Sequence, residues 1–283
     1  MNVASRMAAA AVLVVASLLH GCATGPKSPA NATLKTCGGP LVQAHRGGRF
    51  EYDDNALGGF EKCLAQGIRG FELDVRFTRD RALVVMHDAD VARTTDGRGV
   101  VETMDFADIR RLRLKKSSEQ VPTLSEVLAA MSGRNDVFVE IEMKARPDSF
   151  YTEGVLEDYC RKLDETAKGL MKPGTYAFTC FSEKVLAAMR RVDPDAPLCY
   201  IVGKPLEDAH IATALELGCC GVSPRVGTTK EMVEKAHAAG LAVCLWMCQD
   251  KATWDDCAAK GVDRVTSDHP IRLSGEIAAA SAP

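Results

Sequence analysis

The sequence carries almost no net charge and no pair of Cys-x-x-Cys motifs. It has no Gly-x-Gly-x-x-Gly after a strand-like run, and beyond its first segment no apolar run long enough to cross a bilayer. Each absence removes a class of function. With 35 basic against 38 acidic side chains the formal charge is −3, so there is no field to recruit nucleic acid. Without paired Cys-x-x-Cys there is no zinc framework, and without the glycine fingerprint nothing supports a dinucleotide fold. One basic cluster stands out: Arg110, Arg111, Arg113, Lys115 and Lys116. It reads as a solvated helix end or as a local field drawing in an anionic substrate.

The beginning of the chain has its own logic. Residues 1–6 carry positive charge, and 8–19 form an apolar run interrupted only by Ser17. That run has the length of a signal-peptide core and is short for a membrane span. It ends in Leu19-His20-Gly21-Cys22, which resembles the bacterial lipoprotein box, in which the cysteine is acylated and becomes the new N-terminus. Residues 1–21 are therefore expected to be a signal peptide, Cys22 the lipidation site, and 23–39, rich in Gly, Pro, Ser, Thr and Asn, a flexible tether. The expected location is the cell envelope, on a periplasm-facing membrane anchor, with simple secretion if Cys22 is not acylated. Of the 11 cysteines, 10 follow Cys22, and several lie in strand-like apolar runs. They read as buried free thiols, with one or two disulfides as the alternative.

From Leu41 onward, strand-like runs alternate with helical patterns. The candidate strands are 41–44, 70–75, 83–87, 137–142, 175–181, 198–202, 221–224, 242–246 and 262–266. Helices are expected over 55–65 and 183–191, the second capped by Ser182. A further helix, ending at Gly240, follows a capping-box spacing of Thr228 and Glu231. Such alternation means a parallel α/β architecture. A parallel crossover needs roughly a dozen residues or more, and only 76–82 separate the second and third candidates. The run 83–87 must therefore return antiparallel, as an excursion above the barrel mouth. Eight βα units remain, the number a TIM (β/α)8 barrel requires. The catalytic domain is expected over 40–275, with a small insertion after the second strand that extends to about Val121. A doubly wound open sheet is the alternative.

The acidic residues are placed by this pattern. Glu72 and Asp74 are two apart, so both leave one face of the second strand while Phe71, Leu73 and Val75 face the helices. Glu140, Glu142 and Lys144 repeat the alternation on the next parallel strand. Carboxylates converging at a C-terminal rim repel unless a cation or proton lies between them. Glu72, Asp74 and Glu142 together offer the hard oxygen donors that Ca²⁺ or Mg²⁺ prefers; structural ion bridges are the competing explanation. His45 follows the first strand and His87 ends the excursion, so both stand at the mouth, suited to acid–base work. His45 is then on the rigid rim and His87 on a loop. Arg46 and Lys144 add fixed positive charge suited to a phosphate oxygen.

These residues resemble the glycerophosphodiester phosphodiesterase family from Leu41 to about Pro270. His45-Arg46-Gly47, Glu72-Leu73-Asp74-Val75, His87-Asp88 followed by Arg93-Thr94-Thr95-Asp96-Gly97, Glu142-Met143-Lys144 and Ser267-Asp268-His269-Pro270 are similar to its motifs, in order. The resemblance implies His45 and His87 as the acid–base pair, and Glu72, Asp74 and Glu142 as ligands of one divalent cation. It also implies Arg46 and Lys144 as phosphate contacts, and Trp246 as the lining of the alcohol pocket. The implied reaction takes a small-molecule glycerophosphodiester to glycerol 3-phosphate and an alcohol through a cyclic phosphate. Phospholipase-D-like action on a lysophospholipid or sphingolipid, and phosphodiester binding without turnover, are the alternatives. The chain departs from the family at Asp53-Asp54-Asn55-Ala56, where Pro-Glu-Asn-Thr is usual. It departs again at Trp246-Met247-Cys248-Gln249, where Trp-Thr-x-Asn is usual.

Overall fold

A computed structural model describes residues 39–146 and 150–281. The expected signal segment, Cys22 and residues 23–38 of the expected tether lie outside the described residues. The elements in order are β1 (Leu41–His45), α1 (Leu57–Ala65), β2 (Gly70–Phe77), β3 (Leu83–Val85), α2 (Phe106–Ile109), α3 (Leu124–Ala129), β4 (Phe138–Met143), α4 (Glu153–Leu170), β5 (Tyr176–Cys180), α5 (Glu183–Val192), β6 (Leu198–Ile201), α6 (Asp208–Glu216), β7 (Gly221–Ser223), α7 (Lys230–Ala238), β8 (Ala242–Trp246), α8 (Lys251–Ala259), β9 (Arg264–Ser267) and α9 (Pro270–Ser281). Every strand but β3 pairs parallel with its neighbours, and β1 contacts both β2 and β9, so the sheet closes into the expected barrel. β3 pairs antiparallel with β2, Val75 opposite Val85, as the short 78–82 connection requires.

Alternation along each strand divides two cores. Phe71, Leu73 and Val75 of β2 and Val139 and Ile141 of β4 are fully buried under the helices, in one large apolar cluster. Burial of a side chain of this size contributes about 1.5–3 kcal/mol. Inside the barrel, Leu41, Phe138 and Ala177 form an apolar floor. Above it the buried Arg264 guanidinium stacks 4.4 Å from the Phe138 ring and donates to Glu140 at 3.1 Å. The interior thus becomes polar from floor to mouth.

The excursion and the insertion that follows it, Leu83 to Val121, pack Val84, Met86, Val91, Val101, Ile109, Leu114 and Val121 together with Ala56 of the loop after β1. It is bound to the loop after β1: Asp53 accepts from the backbone of Lys116 and Ser117, and Lys116 Nζ donates to the carbonyls of Arg49 and Tyr52. The basic cluster is therefore largely spent on internal contacts. Arg110 pairs with Glu126, Arg111 with Asp108, and Lys115 reaches the Ala92 carbonyl. No helix among the described residues is long and apolar enough to cross a membrane. The nine described cysteines are free and buried.

Three local expectations shift. The first helix starts at Leu57, because Asn55 takes a left-handed backbone (φ +59) that no helix admits. The cap of α7 is Thr229, which accepts from Met232 N. Thr228 instead accepts from Leu206 N and donates to the Arg225 carbonyl. Ser182 occupies the cap position of α5 without a side-chain cap hydrogen bond.

Candidate active site

The strand register builds the site. Across β1 and β2, His45 lies level with Glu72; across β2 and β4, Asp74 lies level with Glu142. The chain leaves β1 through three successive positive φ values, at Arg46 (+51), Gly47 (+72) and Gly48 (+87). A Cβ on Gly47 would stand 3.3 Å from the Phe60 ring, so glycine answers both the dihedral and the space. This turn aims Arg46 back into the mouth, where its backbone N–H donates to Glu72 Oε2 at 3.0 Å.

Glu72, Asp74 and Glu142 each present a carboxylate oxygen within 4.8 Å of the other two. Burial and repulsion from Asp74 and Glu142 hold Glu72 well above the usual carboxylate range. Burial also lifts Glu142, to about 7, against the pull of Lys144. Asp74 goes the other way: burial is outweighed by Lys144 and Arg46, which keep it ionised. Glu72 Oε1 and Asp74 Oδ1 accept no hydrogen bond from any described residue, although Lys144 Nζ stands 3.4 Å from Asp74 Oδ1. Buried carboxylate oxygens without a donor are costly, and a hard cation would satisfy both. An all-oxygen donor set of this kind fits Ca²⁺ or Mg²⁺.

Both histidines are backed by a carboxylate. His45 Nδ1 meets Asp268 Oδ1 in a short contact, and His87 Nδ1 lies 2.6 Å from Asp88 Oδ1. Each carboxylate leaves the opposite ring nitrogen available; that of His45 lies 3.8 Å from Glu72 Oε2. Burial lowers both rings from the ordinary imidazole value, His87 to about 4, against opposing attraction from the nearby carboxylates. His87 is also anchored through its backbone, whose carbonyl accepts from the buried Arg76 at 2.9 and 2.7 Å.

A cavity of about 430 Å³ opens over these groups, lined among others by His45, Arg46, Glu72, His87, Glu142, Lys144 and Trp246. Asp74, the remaining residue singled out from sequence at this mouth, lies fully buried just beneath. Arg46 is committed to carboxylates, 3.0 Å from Asp54 and 3.4 Å from Asp74, and Lys144 to Glu142 at 2.7 Å. Trp246 donates to the Ser223 carbonyl at 2.8 Å and lies between the Arg225 guanidinium and Phe181. His210, His237 and His269 do not line this cavity.

Several participants had no role assigned from sequence. Asp268 is the partner of His45; the register Ala44↔Ser267 puts the two residues side by side at the ends of β1 and β9. Gln249 donates to Asp268 Oδ2 at 2.7 Å, so the glutamine that departs from the family pattern still reaches the site. Asn55 donates to Asp74 Oδ2 at 2.9 Å, which accounts for its left-handed backbone. Arg49 and Arg225 add cations to the mouth.

The profile of the Glycerophosphoryl diester phosphodiesterase family matches residues 45–272. Among curated relatives, the glycerophosphodiester phosphodiesterase of Caldanaerobacter subterraneus is 29% identical over 242 residues, spanning 82% of this chain and 96% of its own. That of Bacillus altitudinis is 27% identical over 239 residues, spanning 82% and 95%. Among solved structures, an Oleispira antarctica phosphodiesterase in complex with its product sn-glycerol-3-phosphate superposes with a TM-score of 0.76 at 24% identity, covering 85% of this chain and 97% of its own. A putative glycerophosphoryl diester phosphodiesterase from Silicibacter pomeroyi gives 0.78 at 23% identity, covering 90% and 97%. The solved structures share the fold with this chain.

Proposed function

The chain belongs to the glycerophosphoryl diester phosphodiesterase family, and on that premise we propose that it hydrolyses glycerophosphodiesters to glycerol 3-phosphate and an alcohol, using His45 and His87 as the acid–base pair. The observation that carries this reading is the convergence of two carboxylate-backed histidines on one cavity above three clustered carboxylates.

The chemistry follows from what these side chains can do. The substrate's phosphate is drawn to Arg46 and Lys144, whose positive charge already faces the cavity. One histidine takes the proton of the glycerol hydroxyl next to the diester, and that oxygen forms a bond to phosphorus. As the bond from phosphorus to the alcohol oxygen breaks, the other histidine gives that oxygen a proton. A cyclic phosphate remains, and water opens it with the two histidines in exchanged roles. Asp268 and Asp88 hold each ring in one tautomer and favour the imidazolium that forms in each half-reaction. Glu72, Asp74 and Glu142 would hold the divalent cation, Ca²⁺ or Mg²⁺, which when bound offsets negative charge developing on the phosphoryl oxygens. Trp246, with Phe181 at its edge, offers an apolar wall for the departing alcohol.

The proposed setting is the cell envelope, with Cys22 acylated and residues 23–39 as a tether, on the strength of the N-terminal sequence pattern. The test of the function is direct. Purified mature protein is given glycerophosphocholine or lysophosphatidylcholine with Ca²⁺, Mg²⁺ or chelator, while glycerol 3-phosphate is measured. Metal-dependent release from glycerophosphocholine is expected. His45→Ala and His87→Ala should each remove it while leaving the fold intact. No turnover of either substrate with any metal would sink the enzymatic reading, and release of lysophosphatidate alone would move the substrate to lysophospholipids.

A further inference from the structure

We propose that Arg93 and Asp54 form a positioning clip that fixes the His87 ring relative to the barrel rim. The inference rests on the acid–base role of His87 proposed above. Arg76 holds the backbone of His87 but leaves its ring free to turn. The ring is held by Asp88, its chain neighbour, which belongs to the same excursion and by itself ties nothing to the barrel. Arg93 supplies the missing link. Its Nε donates to Asp88 Oδ2 in a short contact, and its Nη2 donates to Asp54 Oδ2 at 3.0 Å. The same oxygen of Asp54 accepts from Arg46 Nη1 at 3.0 Å, and Arg46 Nε lies 3.4 Å from Asp74.

The result is one file of alternating charges, Asp88, Arg93, Asp54, Arg46 and Asp74, running from the His87 ring to the carboxylate cluster. Each inner member is flanked by opposite charges, so removing Asp54 sets Arg93 and Arg46 against each other. The planar fork of arginine is what lets Arg93 grip two carboxylates at once; a lysine would bring a single point charge. The Arg93 side chain is 47% exposed. At that exposure an ion pair adds little to folding stability, whereas small displacements of a proton-transfer group act steeply on rate. The clip should therefore register in turnover and not in melting temperature.

Arg93→Gln and Asp54→Asn are each expected to lower kcat on glycerophosphocholine by about 10- to 100-fold, on the scale of a misplacement near 1 Å. In Arg93→Gln, KM and Tm should stay near wild type; Asp54→Asn also takes a carboxylate from the nearly buried Arg46 and should shift both. The double variant should be no slower than the slower single variant. Asp54→Glu, which keeps the charge, should recover most of the rate, and Arg93→Lys should not. Hydrogen exchange followed by mass spectrometry should show faster exchange over 87–93 in both single variants, with β2 and β4 unchanged. Wild-type kcat in either single variant, a loss in Arg93→Gln that only tracks falling Tm, or unaltered exchange over 87–93 would each overturn the clip. If the wild-type protein turns over no diester, the proposed function falls, while the exchange measurement still decides whether the clip exists.

Discussion

Replacing Asp268 by Asn isolates what the carboxylate behind His45 contributes. The change is nearly isosteric, and the residue is buried, accepting from Gln249 Nε2 at 2.7 Å with Arg49 Nε at 3.3 Å. The side chain should therefore stay in place, while the negative charge and the fixed acceptor at His45 Nδ1 are lost. An amide can also present its NH₂ to Nδ1, which selects the wrong tautomer and blunts the nitrogen facing the cavity. In carboxylate–histidine pairs of this geometry the corresponding change costs about 10⁴ in kcat, and acid–base assistance overall contributes about 10²–10⁴. The expected loss is thus 10²- to 10⁴-fold in kcat, or about 3–5 kcal/mol of barrier. The assay is release of glycerol 3-phosphate from glycerophosphocholine across a pH series, beside a thermal melt. The pH dependence has a definite sign. Asp268 favours the charged ring, so its loss lowers the His45 pKa further, and the limb of the rate profile that reports His45 moves to lower pH. A kcat close to wild type, with an unmoved profile, would refute the reasoning.

Three further outcomes follow from the geometry. In chelator, stability should fall as pH rises from about 4.5 toward 7, because burial lifts Glu142 to about 7 and the folded state holds a proton that the unfolded chain has released. Added Ca²⁺ should reverse the loss in thermal melts, and a Tm indifferent to the cation would count against the carboxylate cluster as its site. Arg264→Met should destabilise by about 3–5 kcal/mol in urea unfolding, since it strands the buried Glu140; the double change with Glu140→Met should regain part of that, and an additive loss would contradict the pairing. Gly47→Ala should cost about 1–2 kcal/mol for its left-handed backbone and also lower kcat, because the turn carries Arg46 into the mouth; unchanged stability would show that the turn is not constrained there.

The barrel was legible because its rules are local. Strand spacing alone made β3 antiparallel, and a period of two put Glu72, Asp74 and Glu142 on the inner face. What spacing does not encode is competition for partners. Thr228 has the spacing of a cap, yet its hydroxyl is taken by Leu206 N and the Arg225 carbonyl, so Thr229 caps instead. Asn55 has the composition of a helix start, yet its amide is needed at Asp74. Arg46 reads as a free phosphate contact, yet it is also the counter-ion of Asp54 and Asp74. The carboxylates behind the histidines were visible as letters but not as partners, because Asp268 reaches His45 only once β9 lies against β1.

That contact joins residues 223 positions apart, through the first and last strands of the barrel. A chain whose first and last strands have not yet met holds the residues of the site without their arrangement. His45 stays unbacked until the final strand docks, so turnover becomes a clock for closure of the ring. In refolding, glycerol 3-phosphate release should lag behind burial of the β2–β4–β5 core, and a chain cut after β8 should be silent even where that core persists.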